Sequence, residues 1–140
     1  MSAPHSGCCM ACWGALIALL ALAGCTSLPP ACPAPADVQP EQLHGVWTVQ
    51  LDDAGPPWTL QLGPHPEHHG SLRGELAQGT RRYPVVADLE GGKFTMEESH
   101  DGVRIAATWL GTVAAGSCGR ALQGQRISPQ ERRQAFLIRP

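Results

Sequence analysis

Turn-forming Gly, Pro and Asp residues interrupt the chain from Gly45 onward at intervals of about eight to twelve positions, and apolar and polar side chains alternate between them. That rhythm is the spacing of strands in a sandwich or barrel, and it leaves no window for a long amphipathic helix. Sixteen Gly and thirteen Pro among 140 residues fit the same picture, because many short strands need many tight turns. The first strand falls on Gly45–Leu51, where Val46, Thr48 and Gln50 alternate with Trp47, Val49 and Leu51. Further strands are expected at 58–62, 71–77, 82–89, 93–97, 103–109, 119–127 and 134–139. Gly91-Gly92 and His100-Asp101-Gly102 are hairpin turns, 111–116 is a Gly/Ala turn, and the polar stretch 128–133 is a surface loop. The expected class is therefore all-β, a small antiparallel up-and-down β-barrel of about eight strands, since closure removes the exposed edges of a meander.

Ahead of this domain the chain has a different character. Gly14 to Ala23 reads GALIALLALA, apolar and uncharged, too short to span a bilayer but suited to the core of a secretory signal. It runs into Leu22-Ala23-Gly24-Cys25, which resembles a bacterial lipobox, although no Lys or Arg precedes the apolar run. The resemblance implies removal of residues 1–24 as a signal peptide and acylation, palmitate included, of Cys25 on its thiol and new amino group. Two or more acyl chains make a stable anchor where one does not. Thr26 follows the cysteine where aspartate marks inner-membrane retention, so lipoprotein sorting implies the outer membrane, facing the periplasm. Residues 25–41, rich in Pro and Ala, are expected to form an extended tether, with the barrel domain at 42–140.

Of six cysteines, Cys8, Cys9 and Cys12 lie in the segment to be removed and Cys25 is the lipid site. Cys32 and Cys118 remain, an even pair in an oxidising compartment, and are expected to form a disulfide. The alternative, free or metal-binding thiols, lacks the CxxC spacing of a zinc site.

Leu43-His44-Gly45-Val46-Trp47 resembles the Gly-x-Trp opening strand of the calycin barrels, which include lipocalins, avidins and small periplasmic protease inhibitors. The resemblance implies that Trp47 plugs one barrel end and that a late-strand arginine, Arg139, stacks over it by a cation–π contact. The stretch from Phe94 to Gly124 also resembles a pattern recurrent in proteobacterial envelope lipoproteins.

Little here points to catalysis. There is no Gly-x-Ser-x-Gly and no P-loop lysine, and Ser117-Cys118 is accounted for by the disulfide. His65, His68 and His69 in a polar loop read as solvated rather than as a metal site, and Glu97-Glu98 with His100-Asp101 as a charged hairpin tip. A net charge of −2 and scattered cations argue against nucleic acid. No cofactor, metal or catalytic residue is expected. Trp58, Trp109 and Phe94 are core residues or the lining of a small ligand cavity. The functional expectation is a non-enzymatic binding or inhibitory module held to the membrane by its lipid, with an envelope protein or protease as partner. The alternatives are a small lipocalin-like carrier of an apolar ligand, or a structural accessory subunit of an outer-membrane complex. The protease inhibitors of the barrel group insert a free N-terminal segment, whereas this one would be acylated, so no inhibitory residue is carried over.

Overall fold

A computed structural model describes residues 31–140; Cys25, Thr26 and the signal segment 1–24 lie outside the described residues. Eight strands follow one another as an up-and-down meander: β1 Gly45–Leu51, β2 Trp58–Pro64, β3 Ser71–Gln78, β4 Arg81–Glu90, β5 Lys93–Ser99, β6 Ile105–Val113, β7 Leu122–Ile127 and β8 Arg133–Arg139. Every neighbouring pair is antiparallel, and β1 also pairs with β8, which closes the barrel.

Period-two alternation explains the core. Trp47, Val49 and Leu51 of β1, Tyr83, Val85, Ala87 and Leu89 of β4, and Phe94 and Met96 of β5 all point inward and are buried. Phe94 and Trp109 are fully buried, while Trp58 packs only partly against the cluster. Bulky side chains thus fill a barrel of eight strands, whose interior is just wide enough for them.

Gly111 is a strand residue of β6, not part of a turn as its Gly/Ala context suggested, and it faces Gly124 of β7. The reason is crowding: a Cβ at Gly111 would lie 2.7 Å from the Phe136 ring and against the Gln123 carbonyl. Two facing glycines let β6 and β7 approach around the Phe136 ring. Gly111→Ala is expected to destabilise the domain by about 2 kcal/mol, read as a lower urea midpoint at unchanged slope.

The described part of the stretch expected as an extended tether, 31–41, is partly folded, and its second turn runs on into the first residues of the expected barrel domain. Pro35–Asp37 and Pro40–Leu43 form two short 3₁₀ turns, and Val38 and Leu43 sink into the barrel end at 3% and 0% exposure. Composition suggested a polyproline arm, but two apolar side chains at the right spacing bury themselves when a barrel end is there to receive them. A side-chain cap on the second turn, the Gln39 backbone N–H donating to Gln42 Oε1 at 2.8 Å, holds its start. Beneath the cap the Trp47 indole N–H donates to the Leu43 carbonyl at 2.8 Å. The cap is tied down by the Cys32–Cys118 disulfide, with Cα atoms 4.8 Å apart. The sixth and seventh strands start at Ile105 and Leu122, later than the expected 103 and 119. In between, Cys118 and Gly119 adopt positive φ in the turn that receives the cap.

Arg139 does not stack on Trp47. Its inward neighbour Ile138 is fully buried, so alternation turns Arg139 outward, opposite Thr48 and exposed. Among the described residues the arginine that lies over tryptophan is Arg126, at the other end of the barrel.

Candidate functional site

At the uncapped end, inward positions that would carry apolar side chains carry polar ones. The β5 face runs Phe94, Met96, Glu98, and Glu98 is 0% exposed. Its cross-strand partners are Val85 and Ala107, both apolar and buried. Trp109 of β6, Arg126 of β7 and Gln134 of β8 then lie side by side in the register.

These residues form one network. Arg126 grips Glu98 in bidentate fashion, Nε to Oε2 at 2.9 Å and Nη2 to Oε1 at 3.0 Å. The Trp109 indole N–H donates to Oε2 at 3.0 Å, and His100 Nε2 donates to Oε1 at 2.7 Å. A carboxylate has room for about four donors, and Glu98 has four. Because the carboxylate only accepts, the His100 proton resides on Nε2. Arg126 Nη1 continues to Gln134 Oε1 at 3.2 Å, and Gln134 Nε2 to Asp53 Oδ2 at 3.0 Å, in the β1–β2 turn. The guanidinium lies over Trp58 and Trp109, 5.6 and 5.7 Å from their ring centroids, and the two indoles meet edge-on at 6.3 Å. The His100 ring stacks on Tyr83 at 4.2 Å. Among the described residues no buried side-chain polar atom is left without a partner.

Burial pushes the Glu98 carboxyl upward, but the hydrogen bonds and charge of Arg126, with those of His100 and Trp109, outweigh it and hold it below the ordinary value of 4.5. A depressed folded-state value contributes stability that is complete above pH 4.5 and lost as pH falls through the lower folded value. The urea midpoint of the native protein is therefore expected to drop between about pH 6 and about pH 3 by more than that of Glu98→Gln. Equal drops would place the acid sensitivity elsewhere.

Of the two carboxylates expected at a solvated hairpin tip, Glu97 lies exposed on the outer face of β5 and Glu98 is buried inside the barrel. Alternation carried two residues further along β5 would have put a carboxylate inside, and the same extension places Arg126 behind Leu122 and Gly124, and Gln134 behind Ile138 and Phe136. That signal was in the sequence. What it lacked was the register that brings the three together. Asp101 does serve the turn: its Oδ1 accepts from the backbone N–H groups of Val103 and Arg104 at 2.9 and 2.7 Å.

The histidine-rich loop behaves as local structure. His65 Nδ1 accepts the backbone N–H groups of Glu67 and His68 at 3.1 and 3.2 Å, and the His65 and His68 rings lie 4.5 Å apart. Among the described residues no group of three or more His, Cys, Asp or Glu side chains is placed to hold a metal ion. No family model matches the chain, and neither a curated protein nor a solved structure matches it.

Proposed function

We propose that this chain is a non-enzymatic binding or inhibitory module of calycin-like build, presented in the periplasm from the outer membrane on a lipid tether at Cys25. The observation that carries the reading is a barrel packed with its own side chains, from Leu43 and Trp47 at the cap to Trp109 and Glu98 near the far end. A filled interior offers a ligand no room, which weighs against the carrier and leaves the outer surface for recognition. Glu98, the one fully buried carboxylate among the described residues, is sealed from solvent and spends its four acceptor positions on internal donors. A general acid or base needs access to a reacting proton, so this geometry favours a structural role for it. Val46, Val86, Val103, Ile105 and Leu110 are large apolar side chains left exposed on the outer wall and turns, and they support docking on another protein.

Native mass spectrometry of the Cys25→Ser protein purified from envelopes tests this. The bare chain mass is expected. A stoichiometric small molecule that survives gel filtration would overturn the reading in favour of a carrier.

A further inference from the structure

We propose that the Cys32–Cys118 bridge is a redox-released clamp: a dithiol reductant opens it in the folded protein, and the lid of residues 33–43 then leaves the end of the barrel. The consequence for the tether rests on the lipid-anchored reading; the release of the lid does not.

The bridge is open to attack and set in strained backbone. Both of its cysteines are exposed. Cys118 stands in the β6–β7 turn with φ at 55°, between Gly116 and Gly119 at 74° and 78°. Glycine takes that left-handed conformation freely, whereas the Cβ of a cysteine crowds its own carbonyl. Exposed or strained bridges are the readily reduced ones, and they serve as switches where buried ones serve as staples.

Little besides the bridge holds the lid. Its first turn, Pro35–Asp37, buries no side chain, and Val38 and Leu43 are its only fully apolar anchors in the core. Its backbone bonds close on themselves, Asp37 N–H to the Ala34 carbonyl and Gln42 N–H to the Gln39 carbonyl. Among the described residues the one hydrogen bond from the barrel to the lid is that of the Trp47 indole to the Leu43 carbonyl. The seat itself is smooth. A Cβ at Gly92 would lie 2.8 Å from the Pro35 carbonyl oxygen, and one at Gly119 would lie 3.1 Å from Val38. Two turns thus meet the lid with glycines, which carry no side chain to interlock with it.

The exchange balances with a dithiol alone. One thiolate of the reductant attacks a sulfur of the bridge and displaces the other cysteine as a thiolate, leaving a mixed disulfide. The second thiol of the reductant then displaces the remaining cysteine. The bridge has gained two electrons and two protons, and the reductant departs as its own disulfide.

Release changes how far the barrel stands from its anchor. Cys25 precedes Cys32 by seven positions and Gly45, the first residue of β1, by twenty. Seven residues reach at most about 24 Å and twenty about 68 Å. On a lipid anchor the closed clamp therefore keeps the lidded end close to the membrane surface, and opening it extends the tether.

The test uses the full chain, purified from its own envelope and returned to phospholipid vesicles, with dithiothreitol added at neutral pH without denaturant. Alkylation and intact mass count the freed thiols. Amide exchange follows the lid and the barrel, and energy transfer from a fluorescent amino acid at Arg104 to an acceptor lipid follows the height. Reduction is expected to free both thiols and to speed exchange across 33–43 by about tenfold, with β3 to β6 still protected. Energy transfer should fall. Cys32→Ser with Cys118→Ser should show this open state before dithiothreitol and no response to it. A bridge that survives until urea unfolds the barrel, a lid that exchanges no faster once reduced, or protection lost throughout β3 to β6 overturns the clamp. A released lid with unchanged energy transfer overturns the lengthening of the tether. A chain with no acyl mass on Cys25, which stays off the vesicles, overturns the lipid-anchored reading, while its lid exchange still decides the clamp.

Discussion

Arg126→Met is expected to cost the domain about 3–5 kcal/mol at neutral pH, the largest loss predicted for a single side chain here. The guanidinium supplies two of the four donors to Glu98, and methionine fills similar space with none. The carboxyl would remain at 0% exposure with only Trp109 and His100 to satisfy it. A buried group in that position lowers its cost by taking up a proton, which reverses the pH dependence. In the variant burial has the upper hand, the folded-state value rises above the unfolded one, and stability is greatest in acid and declines as pH rises. The native protein is expected to do the opposite, since its Glu98 carboxyl is held below the ordinary value. The double variant Glu98→Leu with Arg126→Met should recover part of the loss, because the buried carboxylate left without its cation is gone, while the buried Trp109 indole N–H then lacks its acceptor. Urea unfolding followed by tryptophan fluorescence at two pH values separates these outcomes. A loss below about 1 kcal/mol with unchanged pH slope would mean that the pair is solvated and unimportant.

The second large effect concerns the cap. Cys32 and Cys118 are 86 positions apart, and cross-linking a loop of that length removes unfolded-state freedom worth up to about 4.6 kcal/mol in the chain-entropy model. Replacing both cysteines by serine is expected to lower stability by about 2–4 kcal/mol, since real bridges commonly deliver less than the model value. Intact mass should rise by two hydrogens on reduction of the native protein and not of the variant. The loosening should also be local. Val38 and Leu43 hold the cap by burial and the disulfide holds it by covalency, so amide exchange should quicken first at Leu43 and at the Trp47 indole N–H, which donates to the Leu43 carbonyl. Uniform quickening across β3 to β6 would show that the bridge supports the whole barrel rather than its lid.

Strands were legible because each needs only its own few residues. Gly45–Leu51 was placed to the residue, since a run of alternating apolar and polar side chains has one reasonable pairing with a pleated sheet. Ends were harder. The sixth strand was expected from 103 and begins at Ile105, because Asp101 draws the amides of Val103 and Arg104 into the turn. Trp47 is buried beneath the cap with its indole N–H on the Leu43 carbonyl, while the arginine expected to stack over it, Arg139, is turned to solvent by alternation around the fully buried Ile138. The candidate site was the least legible part. Glu98 stands in the charged-looking stretch EESHD, which as a string reads like any solvated turn.

Local chemistry alone therefore determined the all-β class, the number of strands and most of the inward faces, because each follows from side-chain period. Only the closed barrel decided that a carboxylate of β5 would meet a guanidinium of β7 28 positions later between two indoles, and that a proline-rich arm would fold into a lid. Those outcomes depend on register and closure, which align residues far apart in the chain and leave no mark on any short stretch of it.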